Sequence, residues 1–211
     1  MNKFNFLGLV LLLESCMYLG TYYGLNQYNN KFKLLNFDKK LYVVKNLVKS
    51  SILAIITFFG TPYFYTSLKE SVLDNELIYK FGALYVSNDI IALCVVKNLS
   101  IPTKCDHFIT TLLLFYSFSI DFNDSQKPGI LMYIYTILSS YSFLVNFYLG
   151  MRFLKEKNTI LANYIDISKV YAYYIYILSC SINWSLHIFI IILASFANVI
   201  TTHYAIYFIL L

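Results

Sequence analysis

Residues 170–211 read VYAYYIYILSCSINWSLHIFIIILASFANVITTHYAIYFILL, a stretch that contains no Asp, Glu, Lys or Arg. One helical pass through the hydrocarbon of a bilayer requires ~20 predominantly apolar residues, so this stretch is about twice as long as one pass needs. We predict that it forms two passes that turn near residues 183–185. One long final helix is the alternative.

The remainder of the 211-residue chain is also apolar. Hydrophobic side chains make up 59% of the sequence and charged side chains 13%, whereas soluble domains contain roughly 25% charged residues. Further apolar runs occupy residues 5–25, 47–66, 78–97, 106–121 and 129–150. This pattern excludes an ordinary soluble domain. It predicts an all-α, polytopic transmembrane helix bundle of about seven spans, with six as the alternative.

The first apolar run begins like a signal peptide, because Lys3 precedes it. Its apolar character resumes after Glu14 and continues to residue 25, and no small-residue cleavage site is present. We therefore expect a retained span. On this basis residues 1–45 form a first transmembrane helix with a basic cytoplasmic loop, and residues 46–211 form the main transmembrane domain.

The loops between the apolar runs alternate in charge. Basic residues of the first, third and fifth loops include Lys39, Lys40, Lys45, Lys97, Lys104, Arg152 and Lys155. Acidic residues of the second and fourth loops include Glu70, Asp74, Asp121 and Asp124. Since Lys and Arg are retained on the cytoplasmic side of membranes, we predict cytoplasmic odd-numbered loops and a lumenal or external N-terminus.

Ionisable side chains inside apolar spans are costly unless they are paired or hydrated, and they are therefore candidates for function. The sequence places six of them inside or at the edge of the runs: Glu14, Asp89, Asp106, His107, His187 and His203. Asp89 requires either a hydrogen-bond donor from a neighbouring helix or protonation that keeps its carboxyl neutral. It is either a structural link between helices or a group that faces a polar cavity.

The segment around Asp106 and His107 allows two interpretations. Thr103 and Asp106 have the spacing of a capping box, and Pro102 suits the first turn of a helix. In that case Asp106 only satisfies backbone donors. Alternatively, His107 is a general base near neutral pH, oriented by an acid on a neighbouring helix.

The sequence predicts neither a metal nor a cofactor. The histidines lack H-x-x-x-H spacing, and the four cysteines are dispersed without a C-x-x-C pair, which favours buried thiols over a disulfide or metal framework. The net charge of +5 is small, and in a membrane protein it reflects which loops lie on the cytoplasmic side. We therefore expect no nucleic-acid partner. His187 and His203 are expected to pack between helices or at an interface.

Three segments in order carry a family resemblance: GALYVSNDII at 82–91, DHFITT at 106–111 and SSYSFLVN at 139–146. From about residue 46 onwards the chain resembles the TLC-domain family, which includes translocation-associated membrane proteins and ceramide synthases. It is most similar to the small TLC domain-containing proteins. The resemblance implies roles for Asp89 and for four polar residues that bind lipid or support the site: Ser139, Ser142, Asn146 and Asn198.

The chain departs from the family pattern at the positions that carry catalysis in ceramide synthases. The paired histidines of the family become Asp106 and His107, its Glu becomes Ser139, and Leu53 occupies the place of another His. The resemblance therefore implies a protein that binds or organises membrane lipids in an internal membrane such as the endoplasmic reticulum. The resemblance does not identify a protein partner.

Two other functions are alternatives. One is a sphingoid-base N-acyltransferase in which His107 is the base, oriented by Asp89 or Asp106. The other is a transporter or channel, which only the intramembrane acids favour.

Overall fold

The computed structural model describes residues 2–70, 72–124, 128–155, 160–197 and 200–210. Within these ranges the regular structure is entirely α-helical. The helices are α1 (Lys3–Tyr28), α2 (Asn30–Leu34), α3 (Phe37–Glu70), α4 (Asn75–Val95), α5 (Ile101–Ser117), α6 (Gly129–Ser140), α7 (Phe143–Met151), α8 (Ile160–Phe196) and α9 (Thr202–Leu210). The predicted all-α class is confirmed.

Five helical segments are long and apolar enough to cross a membrane: Lys3–Tyr28, Phe37–Ser67, Asn75–Val95, Gly129–Met151 and Ile160–Phe196. They coincide with five of the predicted apolar runs and support a multi-pass protein. The predicted run at 106–121 is observed as α5, which has 17 residues and a length of about 25 Å. This is slightly less than the ~30 Å of hydrocarbon in a typical bilayer.

The predicted turn near residues 183–185 is wrong, because α8 continues through this segment to Phe196. Asn183 does not break the helix; its carbonyl oxygen lies 2.9 Å from Nδ1 of His187. The chain reverses between α8 and α9, and Nε2 of His187 lies 2.6 Å from the hydroxyl of Tyr207 on α9. With nine residues, α9 is too short for a pass of its own. The alternative of one long helix is therefore nearer to the observed fold.

Serine side chains interrupt the run at 129–150 and divide it into α6 and α7. Ser140 Oγ donates to the carbonyl of Ile137 at 2.6 Å, and Ser142 Oγ donates to that of Ser139 at 2.7 Å. Such side-chain bonds to the preceding turn compete with the helical ladder and bend helices. The carbonyl of Phe143 accepts a bond from Ser50 of α3 at 2.8 Å, which satisfies part of the backbone at the break.

The basic loops meet at one end of the bundle, which we call the basic end. Lys40 Nζ donates to Asn26 at 2.9 Å and Asn98 donates to Asp38, so the ends of α1 and α4 lie beside the start of α3. The guanidinium of Arg152, after α7, lies 4.9 Å from the ring centroid of Phe153 and near Tyr42 of α3. This shared end agrees with the charge alternation. Its cytoplasmic location stays a prediction.

The acidic loops meet at the opposite end. Asn75 Nδ2 donates to Asp121 at 2.7 Å, and Asn123 Nδ2 donates to the carbonyl of Leu73 at 2.8 Å. These bonds join the start of α4 to the segment that follows α5. The two loops therefore form one hydrogen-bonded surface, and the chain alternates between the two ends as the loop charges predict.

Gly129 lets the start of α6 approach the preceding loop. A Cβ atom at this position would lie 2.6 Å from the Cα of Phe122, so backbone would have to move. We expect Gly129→Ala to lower the stability by about 1–3 kcal/mol. Gly8→Ala is the control, because nothing lies within 4 Å of its Cβ position. Thermal unfolding in detergent compares the two, and equal midpoints would contradict the close approach.

Candidate functional site

A cavity of about 690 Å³ lies towards the basic end, between α3, α5, α6, α7 and α8. Its size falls within the ~300–1,000 Å³ of small-molecule sites. Five of the residues predicted for the site line it: Asp106, His107, Ser139, Ser142 and Asn146. Asn198 is outside the described residues. Residues that are distant in sequence, from three helices and the α6–α7 break, therefore share one chamber.

Asp89 lies behind the wall of the cavity and is fully buried. Its Oδ1 forms an ion pair with Nζ of Lys49 on α3, and its Oδ2 accepts a hydrogen bond from Thr110 of α5 at 3.1 Å. Asp89 on α4 therefore joins three helices. The predicted need for a donor from a neighbouring helix is confirmed, and two helices supply one.

His107 of α5 lies against the same carboxylate and is 3% exposed. Its Nδ1 is 3.0 Å from Oδ1 of Asp89 and 3.7 Å from Oδ2 of Asp106. The approach to Asp89 has ion-pair distance without the direction of a hydrogen bond. Among the described residues Nε2 has no hydrogen-bond partner. Both ring nitrogens are buried, and a histidine beside a carboxylate is a candidate general base.

Asp106 does not have the capping role that its spacing suggested. Ser100 is the N-cap of α5, and its side chain accepts from the backbone N–H of Thr103. The helix therefore begins earlier than the capping-box interpretation requires. The carboxyl of Asp106 is free of that role, and its side chain is 60% exposed at the cavity.

Lys45 and Lys49 are the functional candidates that the sequence analysis missed or misplaced. Lys45 falls in the predicted first loop, and Lys49 falls inside the predicted apolar run at 47–66. Helix α3 begins at Phe37, so both residues are helical and lie one turn apart on one face. Both are buried and line the cavity. The i, i+4 spacing of two lysines at the start of an apolar run was the available signal.

The other intramembrane polar residues belong to helix contacts away from the cavity centre. Glu14 of α1 is buried and accepts a hydrogen bond from Ser87 of α4. His203 Nδ1 lies 2.8 Å from the hydroxyl of Tyr116 on α5. With the bond between His187 and Tyr207, these contacts assign the two histidines to packing.

The residues that the structure describes contain no group of three or more His, Cys, Asp or Glu side chains placed to hold a metal ion. The four cysteines, all within those residues, are free thiols. The prediction that they are buried is wrong, because Cys16, Cys94 and Cys105 are exposed and Cys180 is partly buried.

No family model, curated protein or solved structure matches this chain. Its function is therefore inferred from the cavity and from the side chains around it.

The pair of Lys49 and Asp89 is expected to be essential for stability. Removal of one partner leaves a buried charge uncompensated, which costs about 3–5 kcal/mol. Lys49→Met should therefore destabilise the protein, whereas the double variant Lys49→Met/Asp89→Leu should recover much of the loss. Unfolding by SDS titration from detergent micelles measures each variant.

Lys39→Met is the matched control, because Lys39 is exposed on the same helix. An equal loss in the Lys39 and Lys49 variants would show that the buried pair contributes nothing specific. A double variant no more stable than Lys49→Met would contradict charge compensation as the reason.

Proposed function

We propose that this chain is a multi-pass membrane protein of the TLC-domain type that binds a membrane lipid in the cavity near its basic end. The observation that carries the proposal is the cavity itself, a chamber of about 690 Å³ inside a bundle of apolar helices. The order of the three sequence motifs supports the family. An internal membrane such as the endoplasmic reticulum is the location that this family implies.

The lining of the cavity has the two kinds of surface that an amphiphile requires. Ser139, Ser142 and Asn146 offer hydrogen-bonding groups, and Leu138 and Leu149 offer apolar surface beside them. Ligand sites combine a largely apolar lining with a few placed polar groups. A lipid headgroup and the first part of an acyl chain match this combination.

The wall formed by α8 suggests how a lipid enters. Tyr176 and Trp184 line the cavity, and they are 48% and 53% exposed. A lipid that enters the cavity past α8 would contact these two rings.

Lipid binding is tested by mass spectrometry of lipids that co-purify with the protein in polymer-bounded native membrane discs. Ser139→Trp should fill the cavity and reduce the bound lipid class about tenfold relative to wild type, the equivalent of ~1.4 kcal/mol. Ser51→Trp is the control, because Ser51 is exposed on α3. Identical lipid profiles for the wild type and both variants would exclude the cavity as a lipid site.

A second function, sphingoid-base N-acyl transfer, is favoured by the position of Asp89 beside His107. Nδ1 of His107 lies 3.0 Å from Oδ1 of Asp89. In such a reaction His107 would take a proton from the amine as its nitrogen attacks the carbonyl carbon of an acyl thioester. The bond between carbon and sulfur then breaks, and the thiol leaves with the proton. Asp89 would stabilise the imidazolium in between.

The acyl-transfer alternative predicts that purified protein forms ceramide from acyl-coenzyme A and a sphingoid base. His107→Ala should lower that rate by ~10²- to 10⁴-fold, the usual contribution of general base catalysis. His203→Ala is the matched control, because His203 contacts Tyr116 rather than the cavity. Absence of product with the wild type, or full activity of His107→Ala, excludes this function and leaves lipid binding in place.

A further inference from the structure

Lys45 is a buried cation whose charge nothing in the described part of the chain neutralises directly. The residue is 5% exposed and lines the cavity. Among the described residues its ammonium forms neither a hydrogen bond nor an ion pair. An isolated charge in apolar surroundings is unfavourable, so buried charges are normally paired.

The other charged groups of the cavity do not remove this imbalance. Lys49 lies one turn further along α3 and is compensated by Asp89. Asp106 is 60% exposed, and its near neighbour is Nδ1 of His107 at 3.7 Å. The chamber therefore presents one buried ammonium group that is available to a ligand.

The start of α5 adds a second attraction for an anion. Ser100 and Thr103, at the N-terminal turn of this 17-residue helix, also line the cavity. A helix N-terminus carries a partial positive charge that attracts anions. Because Ser100 already accepts from the N–H of Thr103 and Pro102 has no N–H, this attraction comes from the helix dipole rather than from free donors. It adds to the attraction of the Lys45 ammonium, which the exposed carboxylate of Asp106 in the same cavity opposes.

We infer that the cavity binds an anionic amphiphile, with Lys45 as the partner of its phosphate or carboxylate headgroup. The alkyl chain then lies along the apolar wall formed by Leu138, Val145 and Leu149. This inference rests on the proposed lipid-binding function and deepens it by assigning the charge of the headgroup. A charge-assisted bond to an anion is stronger than a bond between neutral groups, so the ammonium selects anionic ligands over neutral ones.

The test uses the single tryptophan of the chain, Trp184, which lines the cavity. Its fluorescence is followed while dodecyl phosphate is added to the full-length protein in phosphatidylcholine nanodiscs. Dodecanol serves as the neutral analogue, and inorganic phosphate as the headgroup alone. Nanodiscs that carry Ser139→Phe protein correct for partition into the bilayer, because phenylalanine fills the cavity and leaves Trp184 as the single tryptophan.

The wild type should bind dodecyl phosphate about tenfold more tightly than dodecanol, as expected for one charged hydrogen bond. Lys45→Gln should remove this preference by weakening the binding of dodecyl phosphate. Lys45→Arg should restore it, because the charge returns. Lys39→Gln, on the exposed start of the same helix, should match the wild type.

The other possible outcomes distinguish a failure of the anion site from a failure of the proposed lipid binding. Equal affinities for dodecyl phosphate and dodecanol, unaffected by Lys45→Gln, would overturn the anion site and leave lipid binding intact. Binding of neither amphiphile would overturn lipid binding and the anion site together. Inorganic phosphate that binds as tightly as dodecyl phosphate would show that the site takes a soluble anion, which also overturns the amphiphile proposal.

Discussion

The ion pair between Lys49 and Asp89 is the interaction on which the rest of the bundle depends. It links α3 to α4 inside the bundle, and Thr110 extends the link to α5. Buried pairs are not inherently stabilising, because desolvation offsets most of the attraction. This pair does favour one packing arrangement of the three helices, because a shifted arrangement would leave Lys49 or Asp89 without its partner.

The packing of α3, α4 and α5 around Asp89 also forms part of the candidate site. With Asp89 held by Lys49, the ring of His107 comes to lie against the same carboxylate. The serine-rich break between α6 and α7 forms another part of the chamber wall, because Ser139 and Ser142 line it. The polar network around Asp89 therefore joins three helices and also contacts His107 at the cavity.

Much of the fold followed from the sequence. Apolar length located the five candidate spans, although it also predicted separate spans at 106–121 and at the end of the final stretch. The alternation of loop charge identified which loops share an end of the bundle. The final stretch was harder, because residues 183–185 are polar enough to suggest a turn yet contain neither Gly nor Pro. Hydrophobicity alone does not distinguish two short passes from one long helix, because the same residues contact lipid in both cases.

The sequence by itself determined the helical class and the apolar segments that are long enough to cross a membrane. It also singled out Asp89 and His107 as side chains that need partners, because an ionisable group in an apolar run has to be paired or hydrated. Only the tertiary structure decided which partners these are. Lys49 is 40 residues from Asp89 in the chain, and no local spacing encodes such a contact. The same applies to Lys45, whose burial depends on where α3 begins and on which helices surround it.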